Sequence, residues 1–148
     1  MNPDFRDILS IFNAEGVEYL IVGAYALAAH GIPRATGDID LWIRRSPDNA
    51  RRVWRALLKF GAPLSGLTEN DLQTEKLVFQ VGIAPRRIDI LTSIDAVEFG
   101  AAWNNRIEIT LDGLRLPVIH RSDLIINKRA VGRPQDIADV ARLNITKQ

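Results

Sequence analysis

The chain contains no cysteine, which removes disulfides, zinc–thiolate centres and thiol nucleophiles from its chemistry. Histidine is scarce too. His30 and His120 lie far apart, without the carboxylate spacing of a metal triad, and both read as structural. No long hydrophobic run occurs: the longest, around Tyr19 to Ala29, is interrupted by Gly23 and is too short to span a bilayer. The first residues, Met1-Asn2-Pro3-Asp4-Phe5-Arg6-Asp7, lack the basic and apolar regions of a secretory signal. An excess of one charge sign is also missing. Nineteen Lys and Arg face eighteen Asp and Glu, a net +1, which argues against a general nucleic-acid-coating role but leaves room for a local basic pocket. The expectation is a soluble, cytoplasmic protein with no membrane partner.

What is present is core-forming material. Of 148 residues, 47% are hydrophobic, enough for one domain spanning 1–148. Asn2-Pro3-Asp4 is a helix start, and Phe5, Ile8, Leu9 and Phe12 recur at helical spacing before Gly16. Tyr19 to Val22 reads as a buried strand and Ala24 to His30 as a helix closed by Gly31 and Pro33. Asp38 to Ile43 alternates in the period of a strand. Ser46-Pro47-Asp48 opens a helix with Val53, Trp54, Leu57 and Leu58 on one face, ended by Gly61. Residues 62–74 read as loop with one helical turn near Glu69 to Leu72. Leu77 to Val81 and Arg87 to Leu91 are predicted as neighbouring strands joined by Gly82-Ile83-Ala84-Pro85, and Asp95 to Trp103 as a short helix. Asp112-Gly113 marks a hairpin between Ile107 to Leu111 and Leu114 to Ile119. Ser122 is expected to cap a helix running to Gly132, and Arg133-Pro134 to begin the last one, to about Leu143. The pattern is α/β, a mixed sheet with helices at both ends.

The chemistry centres on Gly37-Asp38-Ile39-Asp40-Leu41. Two carboxylates two positions apart on a strand leave the same face, roughly 6.5–7 Å apart along the chain. They can converge on one divalent cation, or flank two cations about 3.5–4 Å apart. All-oxygen donors favour Mg²⁺ or Mn²⁺, the ions of phosphoryl transfer. The plainer alternative is that Asp38 and Asp40 mark the wet face of an antiparallel strand. Against it stand their apolar neighbours, among which an unpaired acid is costly, and a third acid of similar setting in Arg87-Ile88-Asp89-Ile90-Leu91. Gly23-Ala24, between strand and helix, is either a simple turn or a place where backbone N–H groups meet phosphate. Arg34 and Thr36 either contact phosphate or serve as a surface charge and a strand-edge residue. Residues 121–148 carry six basic and three acidic residues. In that segment Lys128 and Arg133 complement a triphosphate or pair with Asp136 and Asp139 to join the last two helices. Trp42 shares the face of Asp38 and Asp40, where stacking on a base competes with a core role.

Val22-Gly23-Ala24-Tyr25-Ala26-Leu27, His30-Gly31, Arg34, Thr36 and Asp38-Ile39-Asp40-Leu41 together resemble the polymerase-beta-type nucleotidyltransferase superfamily. The resemblance is nearest to its minimal bacterial branch, including the abortive-infection toxin nucleotidyltransferases. The tail, Asn127-Lys128 with Gly132-Arg133-Pro134-Gln135-Asp136 and Asp139, is similar to the helical end of those proteins. The resemblance implies a nucleotidyltransferase-like fold. It places Gly23 and Ala24, with Arg34, Thr36 and Lys128, at the nucleotide, Asp38 and Asp40 at Mg²⁺ or Mn²⁺, and Asp89 as a third catalytic acid at the attacking hydroxyl. Ala24 stands where that family has Gly or Ser, so a hydroxyl contact to phosphate is absent while backbone N–H groups remain.

Two functions follow as expectations. One is transfer of a nucleoside monophosphate from an NTP such as ATP to a hydroxyl on an RNA end, a protein or a small molecule. A partner protein or a second copy would complete the site. The other is a weak or inactive nucleotide-binding module of a two-component, toxin–antitoxin-like complex. A purely structural α/β protein with solvated acids is the remaining reading.

Overall fold

The computed structural model describes residues 1–83 and 86–145. Chain order gives α1 (Pro3–Ala14), β1 (Tyr19–Val22), α2 (Gly23–Ala29), β2 (Ile39–Ile43), α3 (Pro47–Phe60), β3 (Val78–Val81), β4 (Ile88–Leu91), α4 (Phe99–Asn105), β5 (Ile107–Leu111), β6 (Leu114–Val118), α5 (Arg121–Val131) and α6 (Pro134–Ile145). The expected strands and helices are present, and their ends follow local chemistry. Asn2 Oδ1 accepts from the N–H groups of Asp4 and Phe5, and Ser46 Oγ from that of Asn49, so α1 and α3 each start on a side-chain cap. Gly61 closes α3 in the left-handed conformation, φ 86°. Asp112 and Gly113 both take positive φ, 51° and 77°, as a tight primed hairpin turn between β5 and β6 requires.

Several boundaries depart from the sequence reading. The cap of α5 is His120, whose Nδ1 accepts from the Ser122 N–H, rather than Ser122 itself. α4 starts at Phe99 because Ile94 and Val97 pair in an isolated bridge that occupies the residues before it. On α3 the apolar face is Ala50, Val53, Ala56 and Leu57, while Leu58 is 57% exposed. The turn expected between β3 and β4 includes Ala84 and Pro85, which lie outside the described residues.

The six strands form one mixed sheet in the order β3-β4-β2-β1-β6-β5. β1 and β2 are antiparallel at its centre, β2 runs parallel to β4 and β1 parallel to β6, and the outer strands close antiparallel hairpins. Every residue of β1 is buried, and in β2 only Asp40 escapes full burial. Alternation then sorts the two faces. Tyr19, Ile21, Ile39, Leu41 and Ile43 point away from Asp40 into the main core with Phe5, Ile8, Leu9 and Phe12 of α1. No helix of the described residues is long and apolar enough to cross a membrane.

Asn49 locks the centre of this sheet. Fully buried at the start of α3, it accepts from the Glu18 N–H at 2.8 Å and donates Nδ2 to the carbonyls of Glu18 and Arg44 at 3.0 and 2.8 Å. One amide thus ties the entry of β1 to the exit of β2. Asn49→Ala leaves buried backbone groups without partners and should lower stability by about 2–3 kcal/mol. Urea unfolding followed by circular dichroism measures it; a loss under about 0.5 kcal/mol would contradict this role.

Candidate active site

The face of the sheet opposite the main core carries the polar chemistry. β2 and β4 pair in parallel with Asp40 directly beside Asp89, so both carboxylates leave the same face of neighbouring strands. On the other side of β2, Asp40 pairs with Val22, the last residue of β1, and Gly23 follows. Gly23 holds φ at 68°, and a Cβ built on it would overlap Asp40 Oδ2 and lie 3.0 Å from Cγ. Only a residue without a side chain lets this carboxylate rest against the β1–α2 turn.

Crowding alters the acid. Burial, reinforced by the charges of Asp89 and Asp38, pushes the Asp40 carboxyl up to about 6, with Arg87 pulling the other way. A raised pKa means that protonated Asp40 favours the fold below the ordinary aspartate range. That contribution is lost as pH rises through about 6. At neutral pH the chain therefore carries a carboxylate that lacks sufficient counter-charge.

Arg87 supplies part of it. Its Nε donates to Asp89 Oδ1 at 2.7 Å and its Nη2 to Asp89 Oδ2 at 3.2 Å, while the same Nη2 lies 3.2 Å from Asp38 Oδ2. The Arg87 backbone N–H also donates to Asp38 Oδ1 at 3.2 Å. Asp38, just before β2, is therefore held to β4, and Thr36 Oγ1 accepts from its N–H at 3.2 Å. With the guanidinium in place, no three carboxylates or histidines among the described residues gather closely enough to grip one metal ion. The donor set itself, all carboxylate oxygen on neighbouring strands, is of the kind that suits Mg²⁺ or Mn²⁺.

Next to this cluster lies a cleft of about 350 Å³, where Gly23 and Asp40 face Ser93, Asn127, Lys128 and Arg133. The cationic wall is itself built on ion pairs. Lys128, 8% exposed, donates to Asp139 at 2.9 Å and Asp136 at 3.4 Å. Arg34 grips Asp139 with both terminal nitrogens, one at 2.9 Å, and Arg133 Nε donates to Asp136 at 2.7 Å. Burial alone would raise the Asp139 pKa, but hydrogen bonds from Arg34 and Lys128 outweigh it and leave it lowered. The Arg133 hydrogen bond lowers Asp136 likewise. This ion-pair group sets three cations on two carboxylates, and Asp95 adds a further acid to the cleft lining. Ser93 and Ile94 also border a second cleft of about 690 Å³, lined by Trp42, Arg44, Glu98 and Phe99.

Gly23, Asp40 and Lys128 thus line one cleft, with Asp89 against Asp40. Ala24 stands in the first turn of α2. Arg34 and Thr36 touch Asp139 and Asp38 rather than the cleft itself. Trp42 is 1% exposed, its ring edge-on to Phe99 at 5.1 Å, so it belongs to the core. His30 Nε2 lies 2.8 Å from the Ile119 carbonyl and His120 caps α5, both structural as expected. Sequence reading passed over Arg87 and Ser93. The alternation of Arg87 with Asp89 was a visible signal, since residues two apart on a strand share a face.

Carboxyl-selective NMR titration of the metal-free protein should place the Asp40 midpoint near 6. In Asp89→Asn the midpoint should fall, because a like charge is gone while burial remains. A midpoint that stays or rises would contradict this pairing.

A family model described as "Nucleotidyltransferase of unknown function" (DUF6036) matches residues 5–148. No curated protein matches the chain in sequence. Three solved structures share its fold at low identity. A protein of Thermotoga maritima (TM1012), assigned as a nucleotidyltransferase, is 16% identical with a TM-score of 0.61, covering 99% of this chain and 96% of its own. The lincosamide antibiotic adenylyltransferase LnuA, solved with lincomycin, is 15% identical with a TM-score of 0.62, covering 99% and 98%. ANT(2")-Ia, solved with adenylyl-2"-tobramycin, is 16% identical with a TM-score of 0.59, covering 96% and 86%. The fold is that of a nucleotidyltransferase, and with a family model spanning nearly its full length, the chain belongs to the nucleotidyltransferase family of unknown function DUF6036.

Proposed function

We propose that this protein, acting as a single domain, moves a nucleoside monophosphate from an NTP to a hydroxyl of an acceptor and releases pyrophosphate. One observation carries the proposal: Asp40 and Asp89 are register partners on parallel strands, and Asp40 rests against the side-chain-free turn at Gly23. Asp38, Asp40 and Asp89 are the residues that would hold Mg²⁺ or Mn²⁺, which when bound offsets charge on the phosphates. Asp89, nearest Asp40, takes the role of orienting the acceptor hydroxyl and receiving its proton. The Gly23 turn and Lys128 line the cleft assigned to the triphosphate, while Arg34 and Thr36 support it by holding Asp139 and Asp38.

Adenylyl transfer to antibiotics in two proteins of the same fold supports ATP as donor and a small-molecule alcohol as acceptor. The second cleft, which shares Ser93 and Ile94 with the first, offers such an acceptor room. A partner protein or second copy that covers these open clefts belongs to the same proposal, as does a cytoplasmic setting. A second reading, a nucleotide-binding module without turnover in a toxin–antitoxin-like pair, draws support from Ala24 in the first turn of α2, which offers no hydroxyl to phosphate.

Incubation with α-labelled ATP, Mg²⁺ and a cell lysate should release pyrophosphate and place label on a small-molecule fraction. Asp40→Asn, equal in size but uncharged, should reduce labelling by at least about a hundredfold. Nucleotide binding without pyrophosphate release supports the module, and labelling that survives in Asp40→Asn overturns the site.

A further inference from the structure

We infer that Arg87 is a built-in counter-cation that competes with the divalent metal for the carboxylates of β2 and β4. The inference rests on the metal reading above and goes beyond it, because it assigns a role to a residue outside the carboxylate set. The geometry is specific. A single guanidinium spans two of the three acids, bidentate on Asp89 and reaching Asp38 with the same Nη2. Its side chain is 29% exposed, so part of it faces solvent rather than the core.

The electrostatic logic is exclusion. A guanidinium and a divalent ion cannot both stand within bonding distance of the same carboxylates without strong repulsion. While Arg87 spans Asp38 and Asp89, a divalent ion approaching those oxygens meets the guanidinium charge, and no three-ligand group occurs among the described residues. Metal entry must break the Arg87 side-chain contacts. The backbone N–H bond from Arg87 to Asp38 need not break, so Asp38 stays in place as the guanidinium turns out. Metal-free, the arginine limits mutual repulsion among the acids; metal-bound, it is released toward solvent or an anionic ligand. Arg87 is a positioning residue that sets how readily the site accepts a metal.

The test uses Mn²⁺ alone, titrated into the full chain by calorimetry and by electron paramagnetic resonance, for wild type, Arg87→Met and Arg87→Lys. Removing the competitor should tighten Mn²⁺ binding by about tenfold or more in Arg87→Met. The metal-free Arg87→Met protein should melt lower than wild type and regain more of its melting temperature on adding Mn²⁺. Arg87→Lys keeps a charge but cannot span both acids, and should fall between the two. It also keeps the test readable if the methionine variant folds poorly. A merely structural arginine would lower the melting temperature without tightening Mn²⁺. Unchanged or weaker Mn²⁺ binding in both variants overturns the inference and leaves the proposed function standing. No Mn²⁺ binding by any of the three proteins, with or without ATP, overturns both.

Discussion

Asp40 sits where a side chain on the preceding turn would have to be. Its Oδ2 fills the space a Cβ on Gly23 would need, and the positive φ of Gly23 keeps that space open. The consequence runs through the molecule. β1 must end at Val22 so that the turn passes Asp40, and β2 must pair with β1 on one side and β4 on the other. In β2, four residues are buried and the fifth is this acid. Sheet and site are therefore fixed by the same register. A slip of one residue in β2 would send Asp40 into the hydrophobic core and Ile39 or Leu41 into the cleft.

Two charge systems surround that acid, and they answer different needs. Around Asp40 three carboxylates gather near one arginine that pairs with two of them, a deficit of positive charge that a divalent cation would relieve. Across the cleft, Arg34, Lys128 and Arg133 share Asp136 and Asp139, with Asp95 a further acid on the cleft wall. The second system also fastens α5 to α6 and to the loop before β2, so the cleft wall and the tail of the fold are one construction. Its buried carboxylates are held ionised by their partners, unlike Asp40.

Much of the architecture was legible because it is locally encoded. Asn2 and Ser46 announce helix starts, Gly61 a helix end, and Asp112-Gly113 a hairpin; each acts within a few residues and each took the expected conformation. The carboxylates were legible as acids out of place among Ile and Leu. Less legible was anything decided by a distant partner. Arg34 meets Asp139 across 105 positions, a pairing no spacing rule reveals. Leu58 looked like core on helical spacing but faces solvent, because the buried stripe of α3 runs through Ala50, Val53, Ala56 and Leu57. His120 took the cap expected at Ser122, its ring Nδ1 accepting from the Ser122 N–H two positions later. Arg87 was missed for a different reason. Its parity with Asp89 was in view, but the return to Asp38 depends on β2 and β4 being neighbours.

The proposed function requires Asp40 and Asp89 to form, beside Gly23, the place where metal and nucleotide meet. Crystals grown with Mn²⁺ and a non-hydrolysable ATP analogue test this most directly, because the anomalous signal of manganese locates the ion independently of any assay. The account predicts a peak coordinated by Asp40 and at least one of Asp38 and Asp89, with phosphate oxygens toward the Gly23 turn and the Arg87 guanidinium displaced. A manganese peak elsewhere on the molecule, with Arg87 still bridging Asp38 and Asp89 beneath a bound nucleotide, would contradict it.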